Sequence, residues 1–157
     1  NGTEDIFAGD PRVLMVGTFQ HPFYPYSGTD APAANMVNVP LPAGTRSDGF
    51  REVVAEAWLP ALLRFAPEAI FISAGFDAHY EDDMASLGLV EADYAWVTRQ
   101  IKSVAAASAR GISRPPSRSV PPFGIASRPL TIRFISTCCN CDREAIAHGG
   151  RPSPSSS

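Results

Sequence analysis

The chain has 157 residues, a length that supports one domain with its own core and not obviously two. With 45% hydrophobic and 18% charged residues, its composition is that of an ordinary globular protein. A formal net charge of -3 gives no footprint for nucleic acid or an anionic membrane, and no apolar run approaches the ~20 residues needed to span a bilayer.

In chain order, Val13 to Thr18 (Val-Leu-Met-Val-Gly-Thr) is a continuous apolar run, the pattern of a strand buried on both faces. A long loop from Phe19 to Thr45 follows, rich in Pro, Gly, Tyr and Asn. Loops of this length in a compact domain are usually functional. Within it, Met36-Val-Asn-Val39 is expected to pair as a short strand before Pro40. The spacing of Val53, Val54, Ala57, Trp58, Ala61, Leu62 and Phe65 predicts a helix over Phe50 to Phe65. Asp48 is its expected N-cap, Pro60 an interruption and Pro67 its end. Ala69 to Ser73 predicts a second buried strand. A helix from about Val90 to Ala109 carries Tyr94, Val97, Ile101 and Val104 on one side. Strands alternating with loops and helices in this order argue for a parallel α/β sheet.

The character changes at Gly111. Prolines and arginines crowd Ile112 to Ser127, acids nearly vanish, and the chain ends in Arg-Pro-Ser-Pro-Ser-Ser-Ser. Such composition normally means linker or disorder, so residues 1-110 are expected to be the domain and 111-157 a Pro/Ser/Arg-rich tail. Cys138, Cys139 and Cys141 fall in that tail. An odd count in one cluster is not a disulfide framework, and a zinc knuckle would need a second pair where only His148 lies nearby. Incidental thiols in a reducing, cytoplasmic setting are the expectation.

The most informative run is Ile72-Ser-Ala-Gly-Phe-Asp-Ala-His-Tyr-Glu-Asp-Asp-Met84, followed by Ser86-Leu-Gly-Leu89. It sets Asp77 just beyond the expected strand Ala69 to Ser73, and the carboxyl end of a strand is where open α/β sheets hold ligands. A lone Asp there would more often be a loop acceptor or a helix N-cap. The run as a whole resembles the second metal-ligand loop of the histone deacetylase and acetylpolyamine amidohydrolase superfamily. Asn1-Gly-Thr-Glu-Asp-Ile-Phe7 in turn resembles the tail of that family's Asp-x-His-His-Gly-Asn-Gly-Thr motif. Asp83 departs from the pattern, since the family often has Pro there.

The resemblance implies a truncated part of a three-layer open parallel sheet of the arginase/deacetylase type. It implies a zinc-dependent amide hydrolase acting on acetyl-lysine or acetylpolyamine, with Asp77 as one of three zinc ligands. His21-Pro-Phe-Tyr-Pro-Tyr-Ser-Gly28 resembles the family's Phe-Phe-Pro-Gly-Thr-Gly loop, which would set Tyr24 in the wall of the acyl channel, with Met84 as a second lining residue. Flat aromatic and soft apolar walls suit an aliphatic linker, although a Pro-aromatic loop packing on itself reads equally well from composition. His21 and His79 are not read as metal ligands. Backbone oxygens of Phe7, Asp10, Val13 and Asn35 would hold a monovalent cation such as potassium, and at a second cation site Gly17 stands where Ser is common.

By the same resemblance, two zinc ligands and a paired-His general base would precede Asn1. The catalytic Tyr would fall beyond Tyr94, where none occurs. Arg114-Pro-Pro-Ser-Arg118 can be encoded by codons that, one frame away, spell Ala-Ala-Leu-Glu-Gly, close to the family's text, so a frame shift near Gly111 is expected. No catalytic residue is assigned, and the expectation is a deacetylase fragment inactive as it stands. The alternative is a non-catalytic remnant, either a pseudogene product or an interaction fragment. A nucleotide-binding module is disfavoured, because no Gly-rich phosphate loop follows Val13 to Thr18.

Overall fold

A computed structural model describes residues 2-111, and the tail with its cysteine cluster lies outside the described residues. The elements are α1 (Gly2–Phe7), β1 (Met15–Gln20), β2 (Met36–Leu41), α2 (Ser47–Val53), a π-helical turn (Val54–Trp58), α3 (Leu59–Phe65) and α4 (Glu91–Gly111). β1 and β2 pair in parallel, Met15 opposite Met36 through Gln20 opposite Leu41. This is a partial α/β fold, a small parallel sheet covered by helices.

β1 starts two residues later than the apolar run suggests, with Val13 and Leu14 buried ahead of it. β2 runs through Pro40 rather than stopping before it. The reason is the alternation of a parallel ladder. The Asn35 and Leu41 carbonyls accept from the Met15 and His21 N–H groups, so odd-numbered residues of β2 face β1. Pro40 faces the other way, and its missing N–H removes no bond to β1.

The predicted helix over 50-65 forms, in three joined pieces. Its interruption lies just upstream of Pro60, where the Leu59 N–H reaches back five residues to the Val54 carbonyl. Proline cannot donate to the residue four back and its ring crowds that carbonyl, so a wider turn ahead of it relieves both problems. Asp48 is not the N-cap: Arg46 holds that position and Asp48 lies in the first turn. α3 ends on Ala66 in the left-handed region (φ 48°), its N–H bonded to the Leu62 carbonyl, with Pro67 next.

The expected strand at 69-73 is not formed as a named strand, and Phe71 and Ile72 are half exposed (50% and 51%). A β-branched run becomes a strand only beside a neighbour that offers its own N–H and C=O row. Among the described residues the sheet has two strands, and neither pairs with this segment.

The core gathers Leu14 and Val16 of the first strand region, Leu41 of β2, Phe50, Val54, Trp58 and Leu62 of the helices, and Ile101 and Val104 of α4. Trp58 and Phe50 meet edge to face at 6.3 Å between ring centres. Ala78, Leu87 and Leu89 join the same cluster. Those three belong to the loop that carries Asp77, so core packing positions the candidate site.

Candidate functional site

Asp77 lies in a turn after the 69-73 segment and is 8% exposed. Around it the loop is closed by backbone bonds: His79 N–H to the Phe76 carbonyl (2.9 Å), Leu89 N–H to Ala78 (3.0 Å) and Tyr80 N–H to Leu89 (2.9 Å). The returning limb, 86-89, is fixed to the start of α2. Gly88 donates to the Thr45 carbonyl at 2.9 Å, and Gly44 donates to the Ser86 carbonyl. Ser86 N–H also donates to the buried Gln20 Oε1 at 2.7 Å. Gln20 is the last residue of β1. The Asp77 loop is therefore tied to the carboxyl end of the parallel sheet, where α/β folds hold their ligands.

The loop beginning at His21 leaves from that same strand end. It holds Tyr24, exposed, and turns back at Gly28. Gly28 has φ 92°, and a Cβ there would meet the Phe19 ring at 3.1 Å, so glycine is required on both counts. Asn38 of β2 fastens this loop by donating to the Gly28 carbonyl (3.0 Å) and reaches Glu4 of α1 (2.7 Å). Met84 is also exposed; its N–H donates to Asp82 Oδ1 at 2.8 Å, an Asx-type turn that orders the loop tip. Tyr24 and Met84 thus stand on two loops anchored at one end of β1.

Tyr94 of α4 underlies the Asp77 loop, with its ring 5.1 Å from Phe76 and 6.4 Å from His79. Burial, together with the charges of Asp77, Asp93 and Asp82, pushes its hydroxyl up to about 12. It therefore stays protonated at neutral pH. His79 Nε2 lies 3.7 Å from Glu91, and its Nδ1 is 3.3 Å from the Glu81 N–H. His21 is on the other loop, edge-on to Phe19 at 6.4 Å.

Of the four residues expected to supply backbone oxygens to a monovalent cation, three bring those oxygens together, and the fourth, Asn35, meets them with its side chain. The carbonyl oxygens of Phe7, Asp10 and Val13 converge on one point, and the Asn35 side-chain nitrogen stands there, at 2.8, 3.2 and 3.0 Å. A bidentate Arg12–Asp10 pair braces the turn (2.7 and 3.0 Å). Those side-chain bonds, and then the Arg12 N–H donating to Asp10 Oδ1 at 2.9 Å, lower the Asp10 carboxyl to about 2.

A hydrolytic zinc site takes three protein ligands and an open position. Among the described residues no group of three or more His, Cys, Asp or Glu could hold a metal ion. Asp77 offers one donor, and the described residues do not complete such a site. Gln20 and Asp93, both in supporting positions, were not singled out from sequence, and Tyr94 was read only as part of a helix face. Only Asp93 left a signal there, an acid three residues into a helix that follows Val90.

The chain is 39% identical over 111 residues to a probable deacetylase of Archaeoglobus fulgidus, covering 67% of this chain and 31% of that protein. It is 35% identical over 111 residues to the chloroplastic histone deacetylase 14 of Arabidopsis thaliana, covering 67% and 26%. A histone deacetylase-like amidohydrolase of Pseudomonas aeruginosa is 31% identical over 118 residues, covering 71% and 31%. The chain thus spans less than a third of the length of these relatives. In fold it resembles the crystal structure of the HDA15 HD domain, with TM-score 0.64, 22% identity, and coverage of 89% of this chain and 36% of that one. The family description "Histone deacetylase domain" matches residues 1–113, more than two thirds of the sequence, and the chain belongs to the histone deacetylase family.

Proposed function

We propose that this chain contributes the Asp77-bearing part of a zinc-dependent deacetylase domain that hydrolyses the acyl-amide bond of acetyl-lysine or acetylpolyamine in the cytoplasm. The observation that carries this reading is Asp77 itself: a buried carboxylate on a loop anchored to the carboxyl end of a parallel sheet, in a chain of the histone deacetylase family. A zinc ion bound in a complete site would supply Lewis-acid chemistry at the acyl carbonyl and an acidified water. Asp77 would be one oxygen donor to it, and Tyr24 and Met84 would be apolar walls for the linker chain. Gln20 and Asn38 are positioning residues that hold the two loops. With one donor of three among the described residues, no catalytic step is assigned to them, and the chain alone is expected not to turn over substrate.

The test is a chimera in which residues 2–111 replace the matching segment of the Pseudomonas aeruginosa amidohydrolase. The chimera should bind zinc and deacetylate an acetyl-lysine peptide, while the chain alone should not. Asp77→Ala in the chimera should weaken zinc binding by about 100-fold or more, since even the loss of an outer partner of a metal ligand costs 10–100-fold. Full zinc loading and activity in the Asp77→Ala chimera would refute the ligand assignment. Chelator-sensitive turnover by the chain alone would refute its expected inactivity.

A further inference from the structure

The crossing of carbonyls near the start of β1 has its own logic. The Phe7 oxygen already accepts from the Asp10 N–H, and the Asp10 oxygen from the Val13 N–H, both at 3.1 Å. Each therefore offers its second lone pair inward. Val13, Met15 and Met36 are buried beside them, with Phe7 and Ala33 packed against that cluster. The cage is partly buried, and a ring of inward carbonyls is how proteins replace the hydration shell of potassium. Without a positive or donating centre, three such dipoles repel one another.

Asn35 provides that centre. Its Nδ2 reaches all three oxygens, so two amide protons serve three acceptors and at least one bond is shared. Its Oδ1 accepts from the Gly9 N–H at 2.8 Å. Reversing the amide would set oxygen against three oxygens and NH₂ against an N–H, so the network admits one orientation. The Asn35 main-chain oxygen, the expected fourth ion ligand, accepts from Met15 N–H at 2.9 Å and so starts the β1–β2 ladder. The family resemblance implied a bound ion here. The side chain stands where that ion would.

We propose that the Asn35 amide is a built-in substitute for a monovalent cation, closing this carbonyl cage so that it needs no ion. The wild-type chain should melt at the same temperature, within about 1 °C, in potassium, sodium or tetramethylammonium chloride of equal ionic strength, because a ligand bound only by the folded state would raise it. Asn35→Ala removes the donor and leaves room. It should melt several degrees lower in tetramethylammonium and recover part of that loss in potassium. Specific stabilisation of the wild type by potassium would overturn the proposal, as would an Asn35→Ala variant as indifferent to cations as the wild type. Should the variant not fold, the wild type still decides. In ¹⁵N-labelled protein titrated with potassium chloride, the Asn35 side-chain amide signals should be slow to exchange and should not move. Saturable displacement of those signals by potassium would overturn the proposal.

Discussion

Asp93 shows how much one carboxylate can organise. It is fully buried, accepts from Ser47 Oγ (2.7 Å), Arg51 Nε (2.8 Å) and the Val90 N–H (3.0 Å), and lies 2.7 Å from the Arg51 terminal nitrogen. Burial by itself raises its pKa, but the Val90, Ser47 and Arg51 hydrogen bonds and the Arg51 charge outweigh that and leave it lowered. A carboxylate with a lowered folded-state pKa stabilises fully above the unfolded value of ~3.9, and that contribution is lost as pH falls through the folded value. Asp93→Asn keeps the shape and removes the charge, so it should cost about 1.5–3 kcal/mol at pH 7, in the range of hydrogen bonds to charged groups. Urea unfolding at several pH values checks this: the gap between wild type and variant should shrink as pH falls below ~4. A gap that stays constant down into the acid range would show that the charge is not the cause. The Asp93 network was only half visible in sequence. The three-residue step from Val90 is local, whereas Ser47 and Arg51 stand more than forty positions away.

At the scale of elements, the two longer helical regions, 47–65 and 91–111, were the legible part, because a 3.6-residue apolar repeat is written into each regardless of what it packs on, whereas the short α1 was not read. Val53, Val54, Trp58, Ala61 and Leu62 marked a helix, and all are buried or partly buried in the core. The strands were less legible. Met36 to Val39 was found but its end was misread at Pro40, since a ladder's hydrogen-bonding side is set by register with β1 and not by residue type. The 69–73 segment reads as a strand in isolation and is not one in the described fold, where pairing partners decide. The end of α3 offers a test at this scale. Ala66 adopts φ 48°, a conformation that a Cβ disfavours by roughly 1–2 kcal/mol and that glycine takes readily. Ala66→Gly should therefore stabilise the domain by about 0.5–1 kcal/mol, net of glycine's larger unfolded-state entropy. Thermal or urea unfolding with an unchanged denaturant slope would register it. A destabilised variant would mean that Ala66 leaves the left-handed region in solution.

For the molecule as a whole, the candidate site depends on the core. The family resemblance nominated Asp77, Tyr24 and Met84 as candidates, but said nothing of what holds them. Gln20 and the 86-89 limb meet across 66 positions, a separation that no local pattern records. Ala78, Leu87 and Leu89 are nearly inaccessible and share one cluster with Trp58, Phe50 and Ile101, so the base of the Asp77 loop cannot open without exposing core side chains. That makes a sharp prediction for hydrogen exchange, which resolves regions that open locally from those that open only with global unfolding. The Tyr80, Gly88 and Leu89 amides, bonded to the Leu89, Thr45 and Ala78 carbonyls, should exchange with the same free energy and denaturant dependence as the Val54 and Leu62 amides. The exposed tip, Glu81 and Asp83, should exchange sooner and with little dependence on denaturant. Leu89→Ala should lower both classes of core protection together, by about 2–5 kcal/mol, as truncation of a buried leucine does. If Leu89 and Tyr80 instead exchange as fast as the tip while the helices stay protected, the loop is a separate, weakly held unit. Asp77 would then sit on a segment whose geometry the core does not fix.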